Sequence, residues 1–263
     1  KIEDFFSGVL KMFNLTCYST EQNIYNIEQI ETYYSNGNII DISKYIQSDN
    51  TNLNRTKSYN KVNFQFEKSE NLLSTAYLSN NRLEYGNLMA DFDSDGSAYD
   101  IKLPFENILF SGLTTNLSAG FLIKSDLKPY IPKPIILYDY GVLQTCPAFY
   151  FNGASSTTYN AFGNETSISG NIYSLNFGIE QSPMTNSTVS NSLYNQYYQN
   201  YLNNIFDIKS RLIKIKAVLP ISLLTTLRLN DRLIIRDKRY IINSMNMDLI
   251  TGETDLELLT DFR

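Results

Sequence analysis

RLIKIKAVLP (residues 211–220), RLIIRDKRYIINSMNMDL (232–249) and TDLELLTDF (254–262) are the stretches whose reading decides the fold. In the first, charge and apolar bulk alternate around Ile213, Ile215 and Ala217, the two-residue period of a half-buried strand. Asp237-Lys238 predicts a turn between strands 233–236 and 240–243. Thr251-Gly252 predicts a second turn, between 243–249 and 255–259. Just ahead of these strands lies SLYNQYYQNYLNNIF (192–206). There Leu193, Tyr197 and Tyr201 fall four apart, as do Tyr194, Tyr198 and Leu202, which is helical spacing. Tyr and Asn are poor helix formers, while a buried large apolar side chain gains about 1.5–3 kcal/mol. This helix is therefore expected to exist because it docks, packing on the sheet that follows. Leu193, Tyr194, Tyr197, Tyr198, Tyr201 and Leu202 are its predicted packing or interaction residues.

Composition narrows the function classes. With 43% hydrophobic and 19% charged residues the chain is expected to fold, and no run approaches the ~18 apolar residues of a membrane-spanning helix. The net charge is −5 and no Lys/Arg cluster stands out, which argues against sequence-specific nucleic-acid binding. The chain has no histidine. That removes the usual general base, the commonest zinc ligand and every His-based triad. Tyr is abundant at 20 residues in an Asn- and Ser-rich background, the mixture favoured on polar contact surfaces. Cys17 and Cys146 are too few for a disulfide framework and read as reduced thiols. The sequence starts at Lys1 without a signal-peptide pattern, so a processed product or a piece of a longer protein is expected.

Three consecutive regions follow from the pattern: residues 1–60, a helix plus strands; 61–190, β-rich with long loops; and 191–263, the Tyr-rich helix and a barrel-like module. Apolar residues on most of the circumference of 2–13 predict a short helix clamped between layers. VNFQF (62–66) alternates as a strand, 72–78 fits two helical turns, and Pro104 closes a strand or marks an edge within 99–105. Residues 152–171 and 181–191 read as Ser/Thr/Asn/Gly loops around a strand at 172–177. The fold class is mainly β, a β-dominated α+β chain.

Candidate chemistry is sparse. Asp91-Phe-Asp93-Ser-Asp95-Gly96 matches the first half of an EF-hand loop. The twelfth position, however, is Lys102, a cation where a bidentate carboxylate is required, so Asp91, Asp93 and Asp95 read as a solvated turn, with a weak calcium site of another kind as the alternative. Carboxylates that could pair for glycoside hydrolysis are scattered over Glu67, Glu70, Glu84, Asp100, Glu106 and Glu165. The aromatic run Phe149-Tyr150-Phe151 could stack on sugars or bases. No GxSxG, SxxK or Walker-type loop is present. The expectation is a protein without enzymatic activity or cofactor.

Several segments together carry a family resemblance: FFSGVLKMFNLTCYS (5–19), IYNIEQIETYYSNGNIIDISKYI (24–46), VNFQFEKSENLLSTAYL (62–78), RLEYGNL (82–88), LPF (103–105), KPIILYDYG (133–141), the Tyr-rich helix, and LRLNDRLIIRDKRYIINSMNMDLITGETDLELL (227–259). In this order, over nearly the whole chain, they resemble structural baseplate or tail hub proteins of tailed bacteriophages. The resemblance implies hub β-barrel modules and a homo-oligomeric ring, commonly a trimer. It implies that the ring joins the tail tube protein to spike or tip proteins in the virion, after assembly in the bacterial cytoplasm, with DNA passing through the lumen. The rival expectations are a host-receptor tail protein that binds glycan through loops 152–171 and 181–191, and a carboxylate-dependent glycan hydrolase.

Overall fold

The computed structural model describes residues 1–55, 59–93, 96–114, 117–143, 149–151, 153–182, 185–207 and 209–262. The protein is mainly β, with 45% strand and 20% helix, and contains a half-barrel curled sheet, a short N-terminal helix and a longer helix near the C-terminus. It divides into two compact units, each assembled from three separate segments. One comprises Lys1–Met12, Asn63–Ala90 and Asp100–Gln196; the other comprises Phe13–Val62, Asp91–Tyr99 and Tyr197–Arg263. The consecutive regions expected from composition run differently, because strands far apart in sequence pair with one another.

The half-barrel lies in the second unit. Its six strands run in the order Ile39–Asp41, Arg232–Ile235, Lys238–Met247, Glu253–Thr260, Arg211–Val218 and Ile46–Arg55. All neighbours are antiparallel except the first pair, where Ile39–Asp41 runs parallel to Arg232–Ile235. The two terminal strands are consecutive in the chain, separated only by Ile42 and the single 3-10 turn Ser43–Tyr45. Five steps of chain from Asp41 to Ile46 reach at most roughly 17 Å. Five strand spacings of about 4.8 Å put the edges of a flat six-stranded sheet roughly 24 Å apart, so this sheet has to curl. Ile42 secures the corner: its N–H donates to Ile234 O at 3.1 Å and its side chain is fully buried, at 0% exposure.

Inside the curl lie Ile215, Ala217, Leu233, Tyr240, Ile242, Leu256 and Leu258, the alternate residues of the strands. The inner face is filled further by Leu224 and Leu227, from the short helix Ile221–Leu224 and the residues after it. The hairpin turn between the strands Arg232–Ile235 and Lys238–Met247 falls at Arg236-Asp237, one residue earlier than expected, so Lys238 is in the strand. Both turn residues have positive φ, 47° and 67°, the type I′ geometry that matches strand twist. Gly252 follows at φ 79°, and a Cβ there would lie 2.6 Å from Leu219 O. Asp261 follows the last strand, buried and paired with Arg232 at 2.8 Å and Arg239 at 2.9 Å.

In the other unit the helix Ile2–Met12 is not clamped on most of its circumference. Ile2 is 90% exposed, and Phe5 and Phe6 are partly so. Contact is made through one face, where Gly8 approaches Pro104 so closely that a Cβ would fall 2.6 Å from it, and Phe5 meets Phe105 edge-on at 5.3 Å. Pro104 sits within Ala98–Glu106, a terminal strand of the sheet Leu88–Asp91, Lys61–Glu67, Ala98–Glu106, where a missing N–H is tolerated. The alternation expected of 62–66 is seen in Val62, Phe64 and Phe66, all buried. The helix Leu72–Asn81 is longer than expected, started by Asn71 Oδ1 accepting from Ser74 N at 2.8 Å and ended by Arg82 at φ 57°. Residues 152–171 are not plain loop. Glu165–Ile168 pairs with Asn171–Ser174 through a two-residue turn, Ser169-Gly170, with both φ positive, and Tyr159–Gly163 pairs with Tyr138–Leu143.

The corner makes a stability prediction. Ile42→Ala should cost about 2–5 kcal/mol, read as a lower urea midpoint. An unchanged midpoint would mean that the corner residue is not what holds the curl.

Candidate functional site

Surfaces, more than a pocket of reactive groups, are what the chain offers, and the first lies at the rim of the half-barrel. Each terminal strand is hydrogen-bonded on one side only among the described residues. Ile39 and Leu53, one from each, are 58% and 63% exposed. They line the same cleft of about 790 Å3, together with Ile213 and Tyr240 from the inner face. The order of the strands brings about this juxtaposition. Ile39 pairs with Arg232 and Leu53 with Ile213, at opposite ends of the sheet order, and the curl draws them to one opening.

A second surface is the hairpin Leu15–Glu21 and Ile24–Gln29. Tyr25 and Ile27, two residues apart and so on one face, are both exposed, Tyr25 at 69%. On the same hairpin Tyr18 Oη donates to Glu28 Oε1 at 2.6 Å, and the Tyr18 and Tyr33 rings lie 5.0 Å apart. Cys17, on the strand Leu15–Glu21, is a free thiol, whereas Cys146 lies outside the described residues.

The Tyr-rich helix forms, but its first turn is π, Tyr194–Tyr198, before α-helix continues over Gln199–Ile205. A π turn inserts one residue and rotates everything after it. Of the six predicted packing residues, Leu193, Tyr198 and Leu202, spaced five and four, are therefore the buried ones, while Tyr194, Tyr197 and Tyr201 are half-buried. Side-chain amides anchor the start: Asn195 Nδ2 donates to Ser190 O at 2.7 Å and Gln196 Nε2 to Asn191 O at 2.8 Å. Tyr194 meets Phe64 at 5.6 Å, and Tyr197 meets Phe13 at 5.6 Å. The helix is tied to the sheet where Asn204 Oδ1 accepts from Phe262 N at 3.3 Å, and Phe206 packs edge-on against Tyr59 and Phe92. Neither Tyr198 nor Leu202 belongs to the half-barrel's inner core. Burial pushes the Tyr198 phenol well above its ordinary value.

Four of the scattered carboxylates, Glu67, Glu70, Asp100 and Glu106, are engaged by nearby side chains or backbone. Glu67 pairs with Lys133 and Glu70 with Lys124, each at 2.7 Å. Glu106 is buried and accepts from Tyr130 Oη at 2.7 Å and Lys133 N at 2.9 Å. Asp100 accepts from Asn63 Nδ2 at 2.8 Å. Burial raises Glu84 and Glu165 above the ordinary carboxyl value. A residue that sequence reasoning missed, Glu180, sits at the centre of a polar network. It accepts from Tyr85 Oη at 2.5 Å and from Ser174 Oγ, while Asn164 Nδ2 donates to Tyr85 Oη at 2.6 Å. Burial pushes Glu180 up against the lowering effect of these hydrogen bonds. Burial, together with the nearby Glu180 charge, raises the Tyr85 phenol well above its usual value. Nothing in the local sequence around Glu180 announces this role, because Tyr85 comes from 95 residues away and is itself held by Asn164.

Of the Asp turn, Asp91 faces Lys61 at 3.5 Å. Asp95 lies outside the described residues, as do the side chains of Phe149-Tyr150-Phe151. Among the described residues no cluster of three or more acidic or Cys side chains is placed to hold a metal ion, and no helix is long and apolar enough to cross a membrane. Comparison with family models, curated proteins and solved structures returns no match.

Two predictions follow from this geometry. Tyr198→Ala should cost about 3–5 kcal/mol, as for a buried aromatic truncation, and clearly more than Tyr201→Ala, in parallel urea melts. Glu180 has a raised folded value, so its contribution to stability is fully present below the ordinary value of 4.5 and is lost as pH rises through the folded value. Glu180→Gln removes that loss. The stability difference between variant and wild type should therefore move in favour of the variant as pH rises from about 4 to about 7.5; a flat difference would refute it.

Proposed function

We propose that the chain is a structural component of a bacteriophage tail, a baseplate or tail hub protein that self-associates into a ring and connects the tail tube to the spike or tip. Its work in this reading is to hold geometry. Two features favour it: the ordered resemblance of segments from residue 5 to residue 259, and a mainly β architecture with a half-barrel. The observation that carries self-association is the two-stranded hairpin with Tyr25 and Ile27 uncovered side by side. Two exposed large side chains side by side gain by being buried, so this face of the hairpin gains by packing on a neighbouring chain. A net charge of −5 disfavours adhesion of DNA to a ring lumen.

The test is sedimentation velocity with cryo-EM of the purified protein, alone and with its neighbouring tail proteins. A discrete ring is expected, and Tyr25→Glu with Ile27→Glu should return it to monomers while leaving the melting free energy within about 0.5 kcal/mol, as for surface changes. Monomers under every condition, neighbouring tail proteins included, would sink the proposal.

A further inference from the structure

The cleft at the half-barrel rim combines three properties that are usually found apart. Its floor is apolar, formed by Ile213 and Tyr240 between the exposed Ile39 and Leu53. Its sides are strand edges: Ile39–Asp41 and Ile46–Arg55 each bond to one neighbour only among the described residues, leaving outward-facing backbone groups on the other side. Its rim is cationic, with Lys209, Arg211, Lys238 and Arg239 against two carboxylates, Asp237 and Asp261. Asp261 is already engaged by Arg232 and Arg239. The ammonium groups of Lys209 and Lys238 form no ion pair with any described residue. In a chain of net charge −5, the local sign is reversed.

We propose that this cleft receives an extended segment of a partner protein, alternating apolar with acidic residues, which adds as a further strand to the free edge of Ile46–Arg55. Each property constrains the occupant. Free strand edges are matched by a backbone that presents N–H and C=O groups at strand spacing. A strand points successive side chains to opposite sides, so alternate residues meet the apolar floor while the others reach the rim. Lys209 and Lys238, without an ion pair among the described residues, select acidic residues at those positions. A nucleic acid would satisfy the rim but neither the floor nor the edge. The register shift between Lys214 and Lys216 leaves the stretch that contains Leu53 as the regular part of this edge, which places the added strand beside Ile39 and Leu53. This inference stands apart from the tail-hub reading: a protein that binds the segment but stays monomeric keeps the one and loses the other.

The experiment uses the full chain and a fluorescein-labelled octapeptide alternating Glu and Val, followed by fluorescence anisotropy. Saturable binding is expected, weakened roughly tenfold or more by Lys209→Glu with Lys238→Glu and, separately, by Leu53→Lys. These residues are exposed, and unchanged thermal melting confirms that the variants are folded. The same peptide N-methylated on alternate amides, which cannot complete the edge hydrogen bonds, should not bind. The proposal is overturned by an absence of saturable binding, by equal binding of the N-methylated peptide or of a Lys–Val octapeptide, by displacement with oligothymidylate, or by indifference to both folded variants.

Discussion

The link between Asp41 and Ile46 is the constraint on which the rest of the half-barrel depends. It is too short to cross a flat six-stranded sheet, so the sheet that includes both of its flanking strands must bend until they approach. Bending gives the sheet an inside, and the inside is what Ile215, Leu233, Ile242, Leu256 and Leu258 fill. Ile42 then has two roles in one position: its backbone extends the pairing to Ile234 and its side chain enters the core that the bend creates. The same bend sets Ile39 across from Leu53 at the rim. Core and cleft are thus two consequences of one short connection.

Much of this was legible in residues 232–260, because an antiparallel meander joined by short turns is local: alternation reports the buried face, and turn residues report the reversals; alternation likewise marked 211–218 as a strand, but not its pairing with Glu253–Thr260. Asp237 showed the first reversal to within one residue. The parallel pairing of Ile39–Asp41 with Arg232–Ile235 was not legible. It joins Ile39 to Arg232, far apart in the chain, and IIDI has no periodicity that names a partner. The Tyr-rich helix was visible as a helix, but which of its six predicted packing residues are fully buried was not. Four-residue spacing assumes an α-helix throughout, and with the π turn at Tyr194–Tyr198 it is Leu193, Tyr198 and Leu202 that are buried, while Tyr194, Tyr197 and Tyr201 are half-buried.

Residues 152–171 and 181–191 show a different limit. Their Ser, Thr and Asn content suggested loops, yet Ser169-Gly170 is a hairpin turn, Glu180–Gln181 pairs with Thr188–Val189, and Asn164 donates to Tyr85, which in turn donates to Glu180. A polar residue that is buried and satisfied looks, in sequence, like a polar residue in solvent. What differs is the partner: Ser174 is six residues from Glu180, but Tyr85 is 95 residues away, outside any window that a pattern can span. The scattered carboxylates show the converse: Glu67 and Glu70 looked like possible reagents and are structural ion pairs.

Charge ties the rim to its surroundings. At physiological ionic strength exposed charges act over about 8 Å, so an incoming acidic segment meets the rim cations individually and the net charge of −5 only weakly. Within the cleft the three gains coincide. Lys209 and Lys238 on their own would select any anion, and Ile39 and Leu53 any apolar surface, but the strand edge accepts only an extended backbone. Specificity therefore comes from their overlap in a few residues, an overlap produced by the curl that begins at Ile42.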